Sequence, residues 1–168
     1  FKDRLNTGNV RVEIYDKDGK LVQGMPGTKR KGLNIVRWNM RYTPPKTAGG
    51  GAKTDFGGFV APTVLPGEYT VKIKVADKTY ENKLLMQRDP ASEMSLTDMQ
   101  LQYDAAMNLY HLHEDLAKLV DSISTTQQML KENLASIKNP KVKKLMEEYN
   151  SKLEDVRSRC LATKQKSI

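Results

Sequence analysis

The residues in this chain that could do chemistry are few, and each set departs from the pattern its chemistry needs. "GGGAKT", Gly49 to Thr54, resembles a phosphate-cradling loop, but that motif requires glycines where Thr47 and Ala52 stand. "DKDG", Asp16 to Gly19, could open a calcium loop, yet the downstream ligands and closing bidentate glutamate are missing, so it reads as a turn. His111 and His113 are two apart on a helix and point to different faces, unlike the i, i+4 pair that grips zinc. The carboxylate pairs Glu147-Glu148 and Glu154-Asp155 fall on a solvated helix face, where nothing holds one acid protonated beside an ionised partner. No cofactor or metal is expected, and the chain is read as non-enzymatic.

What remains is charge. The 168 residues carry a net +8. Residues 1–88 hold 17 Lys and Arg against 8 Asp and Glu, while residues 89–168 hold 11 against 12. Lys29, Arg30 and Lys31 sit together in a loop and are the candidate polyanion-binding residues. Lys72 and Lys74 point outward from one strand, where lysines also discourage edge-to-edge pairing. Stackable aromatics are not interleaved with these cations, so nucleic acid is not expected as a partner and solvated surface is the simpler reading.

The charge boundary coincides with "RDP", Arg88 to Pro90, and two units are expected: 1–88 and 89–168. The first reads as β. Val10, Val12 and Ile14 alternate with Arg11 and Glu13, and "YDKDGKLV" turns the chain into a second short strand. "GLNIVRWNMRY" reads as a third strand, with Ile35 and Trp38 facing inward. Tyr69, Val71, Ile73 and Val75 share one face of the next strand, and "ADK" leads to a last one, Thr79 to Met86. Between them, residues 43–66 form a long connection rich in Gly and Pro.

The second unit reads as helical. Ser95 with Asp98 makes a near match to a capping box, and Pro140 suits the first turn of a second helix. Helices are expected at about 96–137 and 140–166, paired as a coiled-coil-like antiparallel hairpin that buries Val142, Met146, Tyr149, Leu153, Val156 and Cys160. The stripe from Leu96 to Tyr110 outruns the second helix. It could pack on the sandwich, on later helices or on a second copy of the chain, and self-association through Met99, Tyr103 and Met107, as a two-fold dimer, is the favoured expectation. No apolar run is long enough to span a membrane. The single cysteine, Cys160, can form no intrachain disulfide.

"VRVEIYDKDGKLV", "GLNIVRWNMRY" and "VLPGEYTVKIKVADKTYENKLLMQRDP" together resemble the C-terminal Ig-like module of bacterial sortilin-like, Asp-box β-propeller proteins, often labelled putative glycosyl hydrolases. The same pattern is similar to the Ig-like domain of the flagellar hook-capping protein. The resemblance implies an Ig-like antiparallel β-sandwich followed by a long antiparallel helical hairpin. It also implies a corner tyrosine, Tyr69, placed by the turn Pro66-Gly67, with Trp38 packing across the sheets. On this reading the chain is a piece of a longer polypeptide, since it starts at Phe1 without a leader. The expected function is an accessory module of an exported protein, periplasmic or at the cell surface, joining a parent propeller domain to a helical packing element. The alternative is a carbohydrate- or polyanion-binding domain of a glycoside hydrolase.

Overall fold

The alternation at Val10–Tyr15 produces strand β1, which is paired on both edges. In the computed structural model, which describes residues 1–6, 8–49 and 61–161, β1 (Val10–Tyr15) lies between β2 (Leu21–Pro26) and β3 (Gly67–Val75), with β4 (Lys78–Met86) outermost. Every pairing is antiparallel and the order is β2-β1-β3-β4. Two helices follow, α1 (Leu96–Leu134) and α2 (Pro140–Cys160). The antiparallel sheet followed by two helices is the expected fold class.

The β1–β2 turn forms because Asp16 accepts at its side chain from the amides of Asp18 and Lys20, while Gly19 takes φ 75. A register shift at Ile14/Tyr15 follows. The β3–β4 turn has only two residues, and Ala76 occupies its left-handed position at φ 49. Opposed pairs Val12–Ile73 and Ile14–Val71 place the apolar residues of β1 and β3 on one face. There Val10, Val12, Ile14 and Tyr69 are buried, each contributing about 1.5–3 kcal/mol.

The expected third strand does not form. Residues 33–40 are irregular, and two local causes stand out. The Asn34 amide donates to the carbonyls of Arg30 and Gly32 at 2.9 and 3.0 Å and accepts from the Arg30 amide, so it competes with any ladder. Met40 then takes a left-handed φ of 57, which an extended run cannot contain. As a result Ile35, expected inside, is 65% exposed.

This irregular chain nevertheless covers the sheet. Residues 41–43 and 62–64 are joined by the isolated bridge Arg41–Thr63, with Tyr42 N donating to Pro62 O at 3.0 Å and Val64 N to Met40 O at 2.9 Å. Thr43 N donates to Val22 O on β2 at 2.9 Å. Tyr42, Ala61 and Val64 are buried under it.

Two compact units divide the chain within α1: residues 1–44 with 61–107, and residues 45–60 with 108–168. The α1 start is capped as its sequence suggests, with Asp98 N donating to Ser95 Oγ at 3.1 Å. Asn139 caps α2 through Lys141 N, with Pro140 in its first turn. α1 ends three residues before the expected 137, and the expected stretch 162–166 of the second helix lies outside the described residues. Ala117, Val120 and Ile123 of α1 are buried. α2 buries none of its residues, so the expected burial of its stripe is not seen, although Gln127 of α1 reaches Glu154 of α2 at 3.0 Å. Met146, Leu153 and Cys160 are only half-covered, while Val142, Tyr149 and Val156 are exposed.

Ala76 gives a direct test of the turn. Ala76→Gly should raise stability by about 1 kcal/mol, because glycine takes a left-handed φ without Cβ strain. Urea denaturation midpoints of the two proteins check this, and an unchanged or lower midpoint contradicts it.

Candidate interaction surface

Tyr69 is the pivot of the covered face. Its hydroxyl donates to Leu65 O at 2.6 Å, four residues back, across the bend at Pro66 and the strand start at Gly67. Trp38 stands edge-on to the Tyr69 ring at a centroid distance of 5.6 Å, and its Nε1 donates to Arg41 O at 3.0 Å. Trp38 is half-buried. It seals the margin of the cover and leaves part of its ring to solvent. Burial, with the neighbouring Tyr103 adding to it, pushes the Tyr69 hydroxyl up to about 12.

Tyr103 reaches the same cluster from α1. Its hydroxyl lies 2.8 Å from that of Tyr42, and the two rings are tilted at a centroid distance of 6.1 Å. Burial pushes the Tyr42 hydroxyl well above the usual tyrosine range, and the bond to Tyr103 adds to the shift. Met99, Tyr103 and Met107 are half-buried here. The stretch expected to have no partner within the hairpin therefore meets Tyr42 of its own compact unit through Tyr103. Its partner Tyr42 closes "GLNIVRWNMRY", which reads as a strand with only Ile35 and Trp38 singled out as inward residues.

The opposite face of the sheet is polar, and its charges are matched. Glu13 is only 6% exposed, the one buried charged residue among those described. Its carboxylate meets Lys74 Nζ at 2.8 Å and Arg11 Nε at 3.0 Å, and accepts from the Tyr15 hydroxyl at 2.6 Å. These bonds, Lys74 foremost and then Tyr15, hold the carboxyl below the usual glutamate range against the opposing effect of burial. Lys72 pairs with Glu81 at 3.2 Å and lies 5.2 Å above the Tyr15 ring, and Lys83 pairs with Glu68 at 2.6 Å. Lys72 and Lys74 point outward as expected, but they face carboxylates of the same sheet.

The other basic residues stand differently. Residues 29–31 bend around the Asn34 amide, which also accepts from the Thr28 hydroxyl. Arg30 and Lys31 are exposed and Lys29 half-exposed. Lys31 meets Asp3 at 3.3 Å between two largely exposed side chains, a pair worth little in water.

The residues weighed for catalysis are not brought together. His111 Nδ1 lies 3.6 Å from Glu114, its neighbour one turn on. Glu154 accepts from Gln127 at 3.0 Å and is held below the usual range by that bond, with Arg157 adding to it. Asp155 pairs with Arg159 at 2.6 Å. The stretch 50–54 of "GGGAKT" lies outside the described residues. Among the described residues no group of three His, Cys, Asp or Glu side chains could hold a metal ion.

Two measurements test these sites. Glu13→Gln should cost about 1.5–3 kcal/mol near neutral pH, the worth of hydrogen bonds to a charged group. Because the folded carboxyl titrates below its unfolded value, its contribution is present above about pH 4.3 and fades as pH falls below that. Wild type and variant should therefore draw together in acid, and a gap that does not narrow as pH falls below about 4.3 contradicts the assignment. Tyr69→Phe should cost about 1 kcal/mol below pH 10. In the wild type this contribution is lost as pH rises from about 10 toward 12, since the unfolded tyrosine ionises first. Alkaline denaturation curves that match for both proteins would contradict the corner.

Against this geometry, no protein-family model, no curated protein and no solved structure matches the chain.

Proposed function

We propose that the chain is a non-enzymatic accessory module of a larger exported protein, with its sheet as a rigid joint and its helices as the packing or partner-binding element. The observation that carries this reading is α2, a helix of 21 residues that buries none of them. Leu145, Tyr149, Val156 and Val142 are 64, 51, 44 and 41% exposed. A helix of this length with so little packing is marginal in water, and a further surface laid on its exposed face would stabilise it.

The joint has its own support. On the covered face of the sheet the cover stops short of β4, where Ile73 and Tyr80 oppose each other and Leu84 opposes Tyr69. Ile73, Tyr80 and Leu84 all remain exposed there. An open apolar margin of this kind suits a neighbouring domain, and the resemblance in sequence makes that domain a propeller and the location periplasmic or at the cell surface. No helix of the described residues is long and apolar enough to cross a membrane.

Circular dichroism and sedimentation across a concentration series test the helical part. The expected result is a mass that rises above the 19.0 kDa monomer, with helix content rising alongside, and both effects lost in Leu145→Glu, Tyr149→Glu. A monomer with full helix content at every concentration would overturn the reading of α2 as an interaction element. Turnover of a glycoside or peptide that one point substitution abolishes would overturn the non-enzymatic reading.

A further inference from the structure

Next to the basic run stand two apolar side chains that the described residues leave uncovered. Leu33 is 86% exposed and Ile35 65% exposed, two aliphatic side chains on irregular backbone. They flank Asn34, whose amide is engaged on both sides by the loop itself. The segment is thus held from within, and the two apolar tips project outward as a fixed pair. Lys29, Arg30 and Lys31 precede them and the exposed Arg37 follows. A second strip of chain adds to the patch. Residues 1–5 run beside the loop, with Leu5 N donating to Lys29 O at 3.1 Å and Gly32 N to Phe1 O at 2.9 Å, and this strip carries Lys2 and Arg4. Asp3 is the one acid on either strip.

We propose that this loop is a peripheral membrane-docking site for a bilayer surface rich in anionic lipid, with Leu33 and Ile35 entering the interface and the surrounding cations resting on the headgroups. Three observations select this occupant. The outer sheet lysines 72, 74 and 83 are paired with carboxylates, whereas Asp3 is the sole acid among the six cations of the loop and the strip beside it, so a net positive field stands beside the tips. Aliphatic tips suit a hydrocarbon boundary, whereas sugar rings and nucleobases are gripped by aromatic faces. Trp38, the aromatic of this segment, is turned toward Tyr69. The combination of several juxtamembrane cations with a small apolar insertion is also what reversible attachment needs, since neither signal holds a protein on a bilayer alone.

The test is co-sedimentation of the full chain with vesicles of phosphatidylcholine alone and of phosphatidylcholine mixed with phosphatidylserine. Binding is expected only to the mixed vesicles and should weaken at high salt. Each cation removed should lower partitioning about fivefold, so Lys29→Ser, Arg30→Ser, Lys31→Ser should lose about a hundredfold. Leu33→Ser, Ile35→Ser should also lose most of the binding. All five side chains are at least partly exposed, so unchanged urea midpoints will show that the variants fold. Failure of the wild type to bind mixed vesicles at low salt overturns the proposal, whether or not it is retained on heparin. Binding that survives Leu33→Ser, Ile35→Ser overturns it as well, because cationic adsorption alone, or attachment through another surface such as α2, then suffices. None of these outcomes depends on the self-association of the helices.

Discussion

A four-stranded sheet has one apolar face to hide, and here that face is covered by irregular backbone. Such a cover is costly unless its own amides and carbonyls find partners, because it lacks the ladder that would satisfy them. In this chain side chains supply much of what the ladder would. Arg41 Nη1 donates to Ala61 O at 2.8 Å, Trp38 Nε1 to Arg41 O, and the Tyr69 hydroxyl to Leu65 O. The Thr43 hydroxyl adds to its amide on Val22 O. Tyr42 and Tyr103 then close the cover through their paired hydroxyls. Removing the Arg41, Trp38 or Tyr69 donor leaves a carbonyl at Ala61, Arg41 or Leu65 short of that donor, so polar and aromatic side chains hold a layer that in a two-sheet sandwich would be held by strands.

Much of this was legible in the sequence, and the failures have local causes. The strands around Val10–Tyr15 and Gly67–Met86 were readable because strict alternation and turn residues agree with each other and with the final packing. Tyr69 was marked as a corner through the Ig-like resemblance, with Pro66-Gly67 as the turn that places it. "GLNIVRWNMRY" misled because its β-branched and aromatic residues carry strand propensity, while one asparagine makes enough local hydrogen bonds to override it. Glu13 was read as an outward residue of β1 and lies on that face, but its burial depends on Lys74 arriving from a strand sixty residues later, which no local pattern encodes.

The helices illustrate a different limit. The cap at Ser95 and the place of Pro140 in the first turn of α2 follow from residue type and form as expected. Their apolar spacing fits a hairpin equally well, yet spacing says which residues share a face and nothing about what will cover it. The covered part of α1 is around Ala117, Val120 and Ile123, in the unit where Lys46 pairs with Asp121. The open parts, on α2 and at the outer sheet margin, are the surfaces on which the proposed accessory role rests. The matched charges of the sheet and the largely unmatched charges beside Leu33 and Ile35 likewise separate a face built for stability from one available for contact.

The central claim is that side-chain hydrogen bonding makes the irregular cover as firm as the sheet beneath it. Amide hydrogen exchange measures this residue by residue. The Tyr42, Thr43 and Val64 amides, which donate within the cover and to β2, should be protected to about the same degree as those of Val12 and Ile14, exchanging only on global unfolding. Exchange of those three at the rate of open coil, with β1 still protected, would contradict the account.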